Sequence, residues 1–150
     1  MKSDPLITYR RKPATLDTES LQSFAELLRD RVARGREFHC RITNDAELQV
    51  LNSRFLGKDY ATDVLSFPSS HVAADEPSLG DIAISIQRAR AQAREYRHTT
   101  EGEIQVLMLH GVLHLLGMDH ETDSGRMKRS EIRWRRKLGL PVGLIERGTQ

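Results

Sequence analysis

Cysteine is almost missing from these 150 residues. Cys40 stands alone, so no disulfide can form within the chain, and its neighbours read as a buried strand rather than the setting of a reactive thiol. Long apolar runs are missing too. The most apolar stretch, residues 104–116, falls far short of the roughly 20 residues that cross a bilayer, which argues against a membrane-spanning helix. The opening Met-Lys-Ser-Asp-Pro lacks the apolar centre of a secretion signal, and together these absences predict a cytoplasmic protein with no membrane partner. Neither sign of charge dominates: 23 Lys and Arg against 21 Asp and Glu leave +2, too little to argue for nucleic acid unless the charges cluster. Aromatics are few, and no RNA-recognition aromatic pattern occurs. What is left, with 38% hydrophobic residues, suits a single domain over residues 1–150 with a sizeable core.

What is present is concentrated in His110-Gly-Val-Leu-His114-Leu-Leu-Gly117-Met-Asp-His120. Between residues 104 and 116 the only polar side chains after Gln105 are His110 and His114. A helix apolar on nearly all sides belongs in a core, and an imidazole buried there without a partner costs on the order of 1–3 kcal/mol. At i and i+4 the two rings share one helix face and can point at one ion. Gly117 supplies a left-handed stop, and His120 arrives three residues later as a third ligand. Three imidazoles with a fourth position open is the arrangement of a catalytic zinc site; a lone core histidine is the bland alternative, and the spacing argues against it. The spacing also matches that of metzincin proteases, but their general-base Glu is replaced by Gly111, which disfavours peptide hydrolysis.

The rest of the chain reads as strand (residues 6–10), helix (from Asp17 or Thr18 to Gly35), strand (38–43) and helix (capped by Asn44 with Glu47, stopped by Gly57). That second helix is expected to bury Ala46, Leu48, Leu51 and Phe55. Residues 64–67 form an edge strand ended by Pro68, and 69–79 a solvated connection containing His71. A strand over 80–85 runs into a helix over 86–96. Thr100 with Glu103 forms a capping box for the histidine helix, and Thr122 or Asp123 caps a last helix reaching Leu138; residues 142–150 read as a loose tail. The expected fold is α+β: a small mixed sheet of about four strands with about five helices, the apolar histidine helix in the middle.

The last helix carries Arg126, Arg129, Arg133 and Lys137 at 3–4 spacing, widened by Lys128, Arg135 and Arg136. A solvated face and an RNA-phosphate contact are both open readings of such a stripe. Met127, Trp134 and Leu138 lie on the opposite, core-facing side. Glu131 falls on that apolar side too, either to support the site or to pair with an Arg.

Taken together, H-G-x-x-H-L-L-G-x-D-H preceded by T-D-V-L-S-F-P and G-D-I-x-I-S resembles the YbeY family of rRNA-maturation endoribonucleases, from about residue 51 to 138 and including Glu95-Tyr96 and His98. The resemblance implies one zinc ion on His110, His114 and His120. It implies a single-strand-specific endoribonuclease acting on the 3′ end of small-subunit (16S) rRNA and in 70S ribosome quality control, with RNA and ribosomal particles as partners and no DNA. One position departs: many members carry an Arg, thought to handle RNA, directly before Gly-Lys-Asp, where this chain has Leu56. Lys58 or Arg54 can offer a phosphate contact there, without a guanidinium's fork at that point.

Neutral imidazole ligands leave zinc its full charge, which activates water and polarises a phosphoryl oxygen. Gly111 is expected to leave room beside the ion. No general base is identifiable; Asp119 either accepts a proton or orients a ligand. Asp63 and Ser66 either line the cleft or cap local turns. Lys58, Arg126, Arg129 and Arg133 are the candidate RNA contacts. Two alternatives stay open: a zinc-containing ribosome-assembly factor with weak or no nuclease activity, and a hydrolase of another substrate class.

Overall fold

A computed structural model of the chain describes residues 5–60, 62–69, 78–119 and 122–141, with positions 143, 145 and 147. His71 and His120 lie outside the described residues. Four strands and five helices occur among the described residues: β1 (Ile7–Tyr9), α1 (Thr18–Leu27), β2 (Glu37–Thr43), α2 (Asp45–Leu56), β3 (Val64–Pro68), β4 (Ser78–Ser85), α3 (Ile86–Glu95), α4 (Thr100–Leu115) and α5 (Arg126–Leu138). The sheet order is β1-β2-β4-β3. β1, β2 and β4 run parallel and β3 antiparallel to β4, so the sheet is mixed, as expected. β3 is an edge, where Pro68 costs no ladder bond.

Alternation along the strands divides the side chains between two cores. Phe38, Cys40 and Ile42 of β2, with Ile82 and Ile84 of β4, belong to the main core shared with α1 and α4. On the other face Ala83 and Leu65 meet Leu48 of α2 in a smaller core. β4 is enclosed on both faces: Leu79, Ile82, Ala83, Ile84 and Ser85 are buried. Such strands read as apolar runs because neither face meets water.

α4 lies in the middle. Every residue from Ile104 to Leu115 except Gln105 and His114 is buried, and the helix touches β3, β4, α1, α3 and α5. Each fully buried leucine contributes about 1.5–3 kcal/mol, so this helix supplies much of the apolar burial of the interior. The helix α1 is capped by the Asp17 side chain and continues as a π-helical turn over Leu28–Val32. Asn44 caps α2 through the Glu47 backbone N–H.

Three expectations are corrected. On α2, Ala46 is exposed and Phe55 is 61% exposed, its ring edge-on to Phe67 at 5.7 Å. Beside its last turn α2 stands off the sheet, leaving an open groove that Phe55 lines with His39, Arg41, Phe67 and Ala83. The cap of α4 is Thr99, whose hydroxyl accepts from the Gly102 N–H. Glu103 does not close a capping box; it is fully buried and meets the guanidinium of Arg147 at 2.7 and 2.8 Å. The region expected as a loose tail therefore contributes to the interior at its described positions: Gly143, Ile145 and Arg147 are all buried. A buried carboxylate needs a charged partner, and Arg147 supplies it.

Candidate metal centre

His110 and His114 project from the last two turns of α4, one buried and the other half-buried. Their rings cross edge-on with centroids 4.7 Å apart, and their Nε2 atoms face one another at 3.2 Å. Each Nδ1 is anchored. His114 Nδ1 lies 3.0 Å from the Met118 carbonyl oxygen; a carbonyl only accepts, so Nδ1 carries the proton. His110 Nδ1 lies 2.7 Å from Glu131 Oε2 and donates to that carboxylate. In these tautomers both Nε2 lone pairs converge on one point. Two imidazole nitrogens bonded at about 2.0–2.1 Å to one tetrahedral zinc lie about 3.3 Å apart. The pair fits a metal ion in spacing and in the orientation that its Nδ1 partners impose.

Gly117 makes half of this arrangement. Its φ of +93° is open to glycine at little cost. In that conformation the Gly117 N–H donates to the His114 carbonyl and the Met118 N–H to that of Leu113, a Schellman ending. The same reversal brings the Met118 carbonyl back onto His114. Glu131 makes the other half. On α5 it is 1% exposed, and its second oxygen, Oε1, accepts from the Ile145 N–H at 2.9 Å. Its place on the apolar side of an otherwise basic helix was the sequence signal for it; Met118 and Ile145 act through backbone atoms and leave no such signal.

Gly111 has a different reason from the one expected. A Cβ there would meet Cδ1, Cγ2 and Cγ1 of Ile82 at 2.9–3.1 Å, so the residue faces the sheet and lets α4 lie close on β4. Ser66 of β3 donates its hydroxyl to the Gly111 carbonyl at 3.2 Å, and Asp63 Oδ1 accepts from the Val64 N–H. Asp63 therefore takes the local structural role, whereas Ser66 ties β3 to the histidine helix across 45 residues of sequence.

The other sequence candidates are spread out. Asp119 is exposed, and its carbonyl accepts from the N–H groups of Thr122 and Asp123. The N-cap of α5 is Gly125 rather than the expected Thr122 or Asp123, although Asp123 Oδ2 accepts from the Met127 N–H from two residues before that cap. Arg126, Arg129 and Arg133 are exposed; Arg129, Arg133 and Arg136 lie about 140–160° around α5 from Glu131 at 100° per residue. The basic stripe thus faces away from the histidine pair. Lys58 is exposed in the turn after α2. Among the described residues no group of three His, Cys, Asp or Glu side chains is arranged to hold a metal ion, and Glu131 sits behind His110 on its Nδ1 side.

A second buried carboxylate sits two turns down α4. Glu103 accepts from Gln92 and His98, both at 2.6 Å, besides Arg147. Burial pushes its pKa up, but the hydrogen bonds from Arg147 and His98 outweigh that and hold it below the ordinary carboxylate value. The Arg147 guanidinium also lies 4.2 Å over the Tyr96 ring, and Tyr96 stacks on His98. This cluster explains why Tyr96 and His98 precede the helix.

Residues 7–139 match the family model described as Endoribonuclease YbeY. A protein of Solibacter usitatus named Endoribonuclease YbeY is 62% identical over 141 residues, covering 94% of this chain and 92% of that protein. One of the same name from Nautilia profundicola is 45% identical, covering 87% and 89%. The solution structure of TM1509 from Thermotoga maritima superposes with a TM-score of 0.57 at 27% identity, covering 85% of each chain.

Proposed function

The chain belongs to the endoribonuclease YbeY family, and from that premise we propose that it is a zinc-dependent, single-strand-specific endoribonuclease of the cytoplasm. Its substrate is the 3′ end of small-subunit (16S) rRNA, and its partners are that RNA and ribosomal particles, including 70S particles under quality control. The observation that carries the metal part of this reading is the 3.2 Å approach of the two Nε2 atoms with both Nδ1 protons held elsewhere. His110 and His114 hold the ion, and His120 completes the set by its place in the motif.

Zinc bound there supplies Lewis-acid chemistry to a phosphodiester. The chain's own contribution is orientation. Met118 and Glu131 fix the two tautomers, so no ring has to turn or lose a proton when the ion binds. The core around α4 keeps the site rigid. Asp119, exposed at the end of the Gly117 turn, is the carboxylate of the motif to which this reading gives the proton-accepting or ligand-orienting role. Lys58 and the α5 cations attract the RNA backbone from a distance rather than at the ion.

Leu56, 45% exposed where many relatives carry Arg, favours a second reading: an assembly factor that binds zinc and ribosomal particles but cleaves weakly. One experiment separates them. Metal-quantified wild type and His114→Ala are incubated with a small-subunit rRNA 3′-end precursor, with and without chelator. Cleavage by wild type alone, abolished by chelation, is the expected result. Bound zinc with no cleavage by either protein moves the conclusion to the assembly factor.

A further inference from the structure

Glu131 reaches from α5 to the histidine pair, and what holds it there comes from further along the chain. Its two oxygens face opposite donors: Oε2 takes the His110 Nδ1–H at 2.7 Å and Oε1 the Ile145 backbone N–H at 2.9 Å. Gly143 closes the remaining side. A Cβ on Gly143 would overlap Oε1 and lie 2.9 Å from Cδ and 3.0 Å from Cγ of Glu131. Only a residue without a side chain lets the backbone lie against this carboxylate. Leu140, Ile145 and Arg147 are buried around the same path, and Arg147 ties it to Glu103 on α4. All of this follows residue 139, the last position that the family model matches.

We propose that Glu131 is a positioning residue for the metal ligand His110, and that the backbone at Gly143 and Ile145 locks it in that role. The inference rests on the reading of His110 and His114 as metal ligands. A carboxylate is the only common side chain that can accept from both donors at once; a glutamine offers one accepting oxygen to two N–H groups. The geometry explains two identities that the histidine motif leaves unexplained, an acidic residue inside the apolar side of α5 and a glycine pressed against it. A salt-bridging role alone would require neither the second donor nor the glycine.

The test reads metal affinity and ligand geometry rather than cleavage. Zinc affinity is measured by competition with a chromophoric chelator, and the cobalt(II) form is followed by its visible absorption. Wild type is compared with His114→Ala, Glu131→Gln, Gly143→Ala and Leu48→Ala, the last a core change on the opposite face of the sheet. Glu131→Gln is expected to weaken zinc binding by roughly 10–100-fold and to alter the cobalt spectrum. Gly143→Ala, which removes no polar group, is expected to move both in the same direction, and it carries the test if Glu131→Gln does not fold. Leu48→Ala is expected to lower stability while leaving both readings unchanged. Wild type that binds no zinc, or His114→Ala that binds it equally, overturns the metal-site reading and this inference with it. Tight binding by wild type, lost in His114→Ala but unchanged in Glu131→Gln and Gly143→Ala, overturns the positioning role alone. So does an equal loss in Leu48→Ala.

Discussion

Arg147 and Glu103 meet through two parallel hydrogen bonds of 2.7 and 2.8 Å, with the guanidinium 5% exposed and the carboxylate not exposed at all. Removing one partner of such a pair leaves the other charged and buried. Arg147→Ala is expected to cost about 3 kcal/mol, the low end for a broken buried pair because His98 and Gln92 still face the carboxylate. Urea unfolding at neutral pH measures it. A loss below about 0.5 kcal/mol, the size of an ordinary surface substitution, would show that the pair does not hold the fold together.

The same carboxylate sets an acid limit. Its folded pKa is depressed, so the unfolded chain binds the extra proton first, and the stability it confers is present above the unfolded value of about 4.3. That stability is lost as pH falls through the folded value. Glu47, likewise held low by Thr43 and Arg41 against the opposing effect of burial, acts in the same direction. Unfolding midpoints measured from pH 6 down to 3 are expected to fall most steeply below about 4.5, and less steeply in Arg147→Ala.

Cys40 is fully buried, and burial pushes its thiol up to about 12. Native protein at pH 8 is expected to resist iodoacetamide, while urea-unfolded protein is labelled completely. Since the folded value lies above the unfolded one of about 8.5, this thiol's contribution is intact below that pH and is lost as pH rises toward 12. Rapid labelling of the native protein would refute the buried placement.

Gly111→Ala presses a methyl group into Ile82 and is expected to cost about 1–3 kcal/mol. Ile82→Val removes the nearest atom, Cδ1, so the double variant should recover part of the loss. Thermal unfolding of the four proteins of this cycle checks the coupling; strict additivity would mean that α4 does not rest on β4 at this point.

Gly117→Ala forces a side chain into a left-handed conformation, at about 1–2 kcal/mol, and disturbs the turn that returns the Met118 carbonyl to His114. Zinc affinity is expected to drop about tenfold or more. Chelator competition measures it, and unchanged affinity in a folded Gly117→Ala protein would remove Met118 from the account of the site.

The legible parts of this molecule were those written locally. Periodicity exposed α4 as a core helix, Pro68 marked β3 as an edge, and Asn44 and Gly117 announced a start and a stop. Glu103 was misread because its spacing from Thr100 imitates a cap, whereas its partner stands 44 residues away. Phe55 differs from its expected burial because helical spacing says which side of α2 faces the sheet, not how closely the helix's last turn lies on it. Glu131 was half legible: its misplaced charge showed, but its two donors did not, one being a backbone N–H. Local pattern names elements; pairings across the chain decide what a buried charge is for.

The pairing of Glu103 with Arg147 also imposes an order in time. A ribosome makes the carboxylate 44 residues before its guanidinium, and through that interval the central helix can bury Glu103 only against His98 and Gln92, without its arginine. Packing of that helix is expected to be weaker until the later segment emerges, so a nascent chain stalled between the two positions should be digested by protease faster than the released protein.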